Sequence, residues 1–156
     1  MREPVWVDRL VVDAVHLDQL REHGGSQGLR DENALESALA RARNKWEYEP
    51  ASDPALLAAA YGYGLATSHP YQDGNKRIAF LAMVIFLGLN GWDLVAPEVE
   101  VVSTMLAVAA GRCLEPELAT WLRKHMVSDS SPGHPPHSSA RNVTAGSTRA
   151  ARRAGR

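Results

Sequence analysis

Apolar positions recur at helical intervals along most of the chain, and polar punctuation cuts them into about six segments. Asp8 stands before the first, in which Val11, Val12, Val15, Leu17 and Leu20 repeat until Gly24 and Gly25 interrupt them. Asp31 caps the second, where Ala34, Leu35, Ala38, Leu39 and Ala42 form a stripe of small residues suited to close packing. Asp53 and Pro54 open the third, a capping carboxylate followed by proline at the first helical position. That segment is apolar nearly all round, so it belongs at the centre of a bundle. Gly62 and Gly64 inside it each cost roughly 1 kcal/mol against alanine, which marks the close approach of another element.

After a polar interruption, residues 78–89 are again apolar on most sides and end at Asn90-Gly91, a pair suited to left-handed backbone. Pro97 opens a fifth segment carrying Val99, Val102, Leu106, Val108 and Ala109, which Gly111 closes. Pro116 stands at the start of the sixth, with Leu118, Trp121, Leu122 and Met126 as its stripe. Two stretches lack this regularity. Residues 1–7 read as a short strand or an irregular arm, and residues 46–53, with Trp46, Tyr48 and Pro50, as an irregular aromatic flap over a neighbouring extended segment. The pattern therefore predicts an all-α domain over residues 1–126, a compact bundle of about six helices with almost no sheet. Residues 127–156 change to Ser, Pro, Gly, Thr, Ala and Arg and read as a disordered basic tail.

Composition adds limits. The chain has 156 residues, enough for one real core, and a formal net charge of −1. Before Val127 there are 12 Lys/Arg against 17 Asp/Glu, and from there on five Arg against one Asp. A mildly acidic body lacks the basic face of a duplex-DNA binder. Cys113 is the single cysteine, so no intrachain disulfide forms and a zinc cluster is not expected. No basic-then-apolar leader opens the chain, and the apolar run 78–89 is too short to span a bilayer, so a cytoplasmic protein is expected. His16 and His23 read as packing or surface residues.

The polar interruption carries the chemistry. It runs His69, Pro70, Tyr71, Gln72, Asp73, Gly74, Asn75, Lys76, Arg77 and is flanked by two buried segments. As plain structure it is a turn, with Asp73-Gly74 as turn residues and Asn75 as a helix cap. Two cations in a first turn, however, oppose the helix macrodipole and stabilise only if an anion joins them. Read functionally, Gly74 lets a backbone approach a ligand, and the free N–H groups of Asn75, Lys76 and Arg77 can bind phosphate oxygens. Lys76 and Arg77 add charge, Asp73 is a hard oxygen ligand for Mg²⁺, and His69 can take a proton from an attacking hydroxyl. These residues suit transfer of a phosphate-containing group from a nucleotide to an alcohol. The spacing does not match a P-loop.

The nine residues resemble the signature of the Fic/Doc superfamily in its Doc (death-on-curing) branch. The likeness extends to Gly24-Gly25, Gly28 to Asp31 and Ala34 to Leu39 on one side, and to Phe86-Leu87, Asn90-Gly91 and Trp121-Leu122 on the other. It covers about residues 5–126. The resemblance implies a helical bundle with the signature loop between two central helices. It further implies a toxin that acts as a protein kinase, moving the γ-phosphate of ATP to a translation factor, elongation factor Tu, and halting translation. On that analogy His69 is the base, Asp73 the Mg²⁺ ligand, and Gly74, Asn75, Lys76 and Arg77 the phosphate site. A small antitoxin whose disordered end folds onto the toxin is the implied partner, with DNA contact only through it.

Within the family, AMP-transferring members usually carry Gly where Lys76 stands, and often a second Arg where this chain has Phe80. Both features count against AMP transfer, which remains the alternative, beside a catalytically silent binding module. Tyr71 replaces the usual Phe, and its hydroxyl needs a partner. An inhibitory segment of the type Ser/Thr-x-x-x-Glu-Gly/Asn is not found in the chain.

Overall fold

Three aspartates start three helices. The computed structural model describes residues 2–129. Asp8 accepts from the N–H of Leu10 and begins α1 (Arg9–His23), Asp31 accepts from Ala34 and begins α2 (Glu32–Tyr48), and Asp53 accepts from Leu56 and begins α3 (Pro54–Ser68). The remaining elements are α4 (Asn75–Leu89), β1 (Trp92–Leu94), α5 (Glu98–Ala109), α6 (Glu115–His125) and β2 (Met126–Ser128). The architecture is an all-α bundle with one small sheet among the described residues.

Helix α3 is the hub. Ten of its 15 residues are buried, and it packs against α2, α4, α5 and α6. The glycines within it do what their cost predicted. A Cβ on Gly62 would lie 2.8 Å from Met83 Cγ and 2.9 Å from its Cε, so α4 crosses there without room for a methyl group. A Cβ on Gly64 would stand 3.3 Å from the Cα of Ala38, at the small-residue stripe of α2. The core continues through Tyr61, Phe86 and Trp6: Tyr61 and Phe86 centroids are 5.3 Å apart, and Trp6 stacks on Phe86 at 6.0 Å.

The N-terminal arm is irregular. Its Val7 N–H donates to the Tyr61 hydroxyl, and Val5 exchanges both backbone hydrogen bonds with the Asn90 side chain. Residues 46–48 do not form a flap. They extend α2 by nearly a turn, because Trp46 packs edge-on against Trp6 at 6.0 Å, and the helix ends where Glu49 precedes Pro50 and leaves the helical region. The stripe of α1 also differs from its apolar pattern. Val12, His16, Gln19 and Leu20 are buried, whereas Val11 and Leu17 face solvent. In α5 the inward residues are Met105 and Val108, while Val99, Val102 and Leu106 are exposed. Val127 and Ser128, assigned to the tail by composition, pair with Asp93 and Trp92 in the antiparallel β1–β2 ribbon. The rest of that tail, 130–156, lies outside the described residues.

Two outcomes test this packing. Gly62→Ala, which in an open helix gains stability, should here cost about 1–3 kcal/mol in urea unfolding because the methyl group meets Met83. Asp53 supplies the second. Burial pushes its carboxyl up, but the hydrogen bond from Arg123, the Leu56 N–H and the Arg123 charge prevail and hold it below the usual carboxylate range. Its contribution is therefore present at neutral pH and is lost as pH falls below about 4. The stability gap between wild type and Asp53→Asn, read from urea midpoints, should shrink on acidification across that range.

Candidate active site

The turn between α3 and α4 is built from unusual backbone. His69, the C-cap of α3, is left-handed at φ 49° and ψ 57°, the one non-glycine residue with positive φ among those described. That conformation costs of order 1–3 kcal/mol for a residue with a Cβ and must be held by its surroundings. Arg30 holds it. Its Nε donates to the His69 carbonyl at 2.7 Å and its terminal nitrogen to the Ser68 carbonyl at 2.9 Å. Those carbonyls end α3, which has no basic residue in its own last turn, so Arg30 also brings the cation that the helix C-terminus favours.

The segment between α1 and α2 runs beside the turn. The N–H groups of Arg30 and Asp31 donate to the Pro70 carbonyl at 2.8 and 3.0 Å, Gln72 N–H donates to the Gly28 carbonyl at 3.0 Å, and Leu29 bridges Tyr71 in antiparallel sense. The extended neighbour of the turn is thus residues 28–31. Further along, Asn75 does not cap α4 with its side chain. Its Oδ1 accepts the Tyr71 N–H and its Nδ2 donates to the Tyr71 carbonyl, both at 3.0 Å, so the amide locks the turn. Gly74 is the N-cap, at φ 78° and ψ 14°, a left-handed position that glycine fills without strain.

The start of α4 differs from every other described helix start. Helices α1, α2 and α3 have Asp caps; α5 and α6 carry two glutamates each in the first turn; α4 has neither. Its first intrahelical bond is Ile78 N–H to Gly74 carbonyl, so the N–H groups of Asn75, Lys76 and Arg77 have no acceptor in the helix. Lys76 and Arg77 are exposed and are not among the described ion pairs or hydrogen bonds. Two cations therefore gather at a helix start beside a single carboxylate, Asp73, which leaves a net positive charge there.

Asp73, Gly74, Asn75, Lys76 and Arg77 line one cleft of about 320 Å³, with Phe80 beside them and Val101, Val102, Met105 and Leu106 of α5 as an apolar wall. His69 is the sixth residue singled out by sequence; it is exposed and stands at the other end of the turn, outside the cleft lining. Asp73 Oδ1 accepts the Gly74 N–H at 2.8 Å. No group of three or more His, Cys, Asp and Glu among the described residues is placed to hold a metal alone. A lone exposed carboxylate suits Mg²⁺ that arrives with a polyphosphate, whose oxygens and waters fill the other positions.

A helical bundle with an uncapped, doubly cationic helix start in its central turn is the class of protein that the geometry defines. The chain belongs to the Fic/DOC family, whose model matches residues 6–87. It is 28% identical over 111 residues to the protein kinase doc of Escherichia phage P1, a match covering 71% of this chain and 87% of that protein. It is 40% identical over 75 residues to the toxin Doc of Mycolicibacterium smegmatis (strain ATCC 700084 / mc(2)155), covering 47% of this chain and 57% of that one.

Sequence reasoning missed Arg30 and His16 as parts of this site. Arg30 lay inside the Gly28 to Asp31 likeness without a role. His16 lay at i+4 from Val12, on the buried face, and its polarity there was the available signal. Arg30→Met, which keeps the stem and removes two hydrogen bonds, should speed amide exchange at Asp31 and Gln72 about tenfold. Hydrogen-exchange mass spectrometry reads this directly, and unchanged protection would remove Arg30 from the turn's support.

Proposed function

We propose that this chain is a Doc-type toxin: a protein kinase that transfers the γ-phosphate of ATP to a hydroxyl of a translation factor, elongation factor Tu, and so arrests translation. The observation that carries the reading is the start of α4, where unacceptored N–H groups, Lys76 and Arg77 gather beside Asp73 in one cleft. The names of the two relatives, a protein kinase and a toxin, support it. Gly74 and the backbone N–H groups of Asn75, Lys76 and Arg77 bind phosphate oxygens, and the two side chains neutralise the charge that develops on them. The Asn75 side chain acts on the turn instead. Asp73 would hold Mg²⁺, which would supply charge neutralisation on the phosphates.

In the step itself the substrate hydroxyl loses its proton to the His69 imidazole. Its oxygen forms a bond to the γ-phosphorus, the bond from that phosphorus to the bridging oxygen breaks, and ADP leaves with the electron pair. Arg30 keeps the His69 backbone in its left-handed setting during this transfer. The toxin is held in check by a small antitoxin acting in trans, in the cytoplasm; no described helix is long and apolar enough to cross a membrane.

Transfer of AMP is the reading to separate from this one. Phe80 lines the cleft at the position where AMP-transferring relatives often carry a second arginine, which favours the kinase. Parallel reactions with α- and γ-labelled ATP and purified elongation factor Tu decide. Label is expected from the γ position alone, abolished by EDTA, and reduced about 10²–10⁴-fold in His69→Ala. Label from the α position establishes nucleotidyl transfer; growth arrest that survives His69→Ala establishes a binding module.

A further inference from the structure

Helix α1 reaches the site through residues that the proposed chemistry does not use. His16 is 5% exposed and Tyr71 3%. Their rings stack nearly flat, 3.7 Å between centroids and 14° between planes. The Tyr71 hydroxyl donates to Asp13 Oδ1 at 2.6 Å, and Asp13 accepts from Arg9 through its other oxygen. Arg9 also bonds Glu32 and Glu36, which ties α1 to α2 beneath the stack. Burial, and then the bond to Asp13 and its negative charge, push the Tyr71 phenol well above its ordinary range, so it stays a donor throughout the physiological range.

The end of this ladder meets one peptide. His16 Nε2 stands 2.8 Å from the Asp73 carbonyl oxygen. A carbonyl can only accept, so Nε2 carries the proton and donates. The peptide from Asp73 to Gly74 is trans, and its C=O and N–H point in opposite directions. With the carbonyl fixed on His16, the Gly74 N–H is aimed the other way, where it donates to Asp73 Oδ1. The other carboxylate oxygen lies against Gly25: a Cβ there would be 2.7 Å from Oδ2. The left-handed glycine after this peptide makes a flip of the peptide plane sterically easy, and a flip would turn the N–H away from the carboxylate.

We propose that His16 is a positioning residue: by donating to the Asp73 carbonyl from the stacked Asp13–Tyr71 support, it locks the peptide whose N–H aims the Asp73 carboxylate at the metal. This rests on the metal role given to Asp73 above. The chain's departure from Phe at position 71 belongs to the same device, since the hydroxyl anchors the stacked pair to α1.

The test uses Mn²⁺ with a non-hydrolysable ATP analogue, followed by electron paramagnetic resonance on the full chain, with amide exchange of Gly74 read by NMR. His16→Phe keeps the stack and removes the donor; it should weaken Mn²⁺ binding about tenfold and release the Gly74 amide. His16→Gln restores a donor and should bind within about twofold of wild type. His16→Leu takes the place of His16→Phe should thermal melting show that the latter does not fold. Wild-type Mn²⁺ affinity without the donor overturns the proposal, as does a Gln variant as weak as Phe. Asp73→Asn is the separate control: if it binds Mn²⁺ as wild type, the metal role of Asp73 itself fails, whereas loss there with an unaffected His16→Phe overturns the positioning role alone.

Discussion

The structure depends on how closely α4 can cross α3. Two helices apolar on most sides must be joined by a turn, and the crossing at Gly62 and Met83 leaves no space for a methyl group between them. That contact fixes where α4 begins relative to where α3 ends. The connecting residues then have little freedom, and the left-handed settings of His69 and Gly74 are how the backbone closes the gap. Strain at the turn is thus a product of packing about two helical turns away, and the rigidity of the core becomes rigidity at the site.

A strained turn needs support from both sides, and the first third of the chain supplies it. Residues 28–31 lie along 70–72 in a backbone ladder, and Arg30 grips the carbonyls at the end of α3. Helix α1 grips the opposite end through Tyr71 and Asp73. The signature residues themselves provide two internal braces, the Asn75 side chain on the Tyr71 backbone and the Asp73 carboxylate on the Gly74 N–H. Family membership over residues 6–87 is consistent with this division, since the match takes in the bracing segments as well as the turn.

Much of this was legible in the sequence for local reasons. The Asp caps at 8, 31 and 53 act within three residues, and Gly62 and Gly64 announced close packing by their cost in a helix. What could not be read depends on distant partners. Trp46 stays helical because Trp6 meets it, and Val127 and Ser128 form a strand because residues 92 and 93 are there to pair. Asn75 resembled a cap because the Tyr71 backbone that claims its amide is brought close only by the turn. On α1 and α5 the apolar residues outnumber the inward positions, so hydrophobicity alone assigned Val11, Leu17, Val99, Val102 and Leu106 to a core they do not join. For Val102 and Leu106 the reason is the cleft: α5 turns them toward the start of α4.

The bare start of α4 has a consequence for the energetics of the whole molecule. At every other described helix start the chain places a capping Asp or first-turn glutamates; here it places neither and adds two cations. The domain is therefore less stable alone than its sequence could have made it, and an anion docked there, as proposed above, would complete a secondary-structure element as well as fill a cleft. On that proposal binding and folding are linked at that point, and occupancy of the cleft would raise resistance to unfolding by mass action. The same helix start would then be at once a recognition surface and a reserve of folding free energy that a bound anion releases.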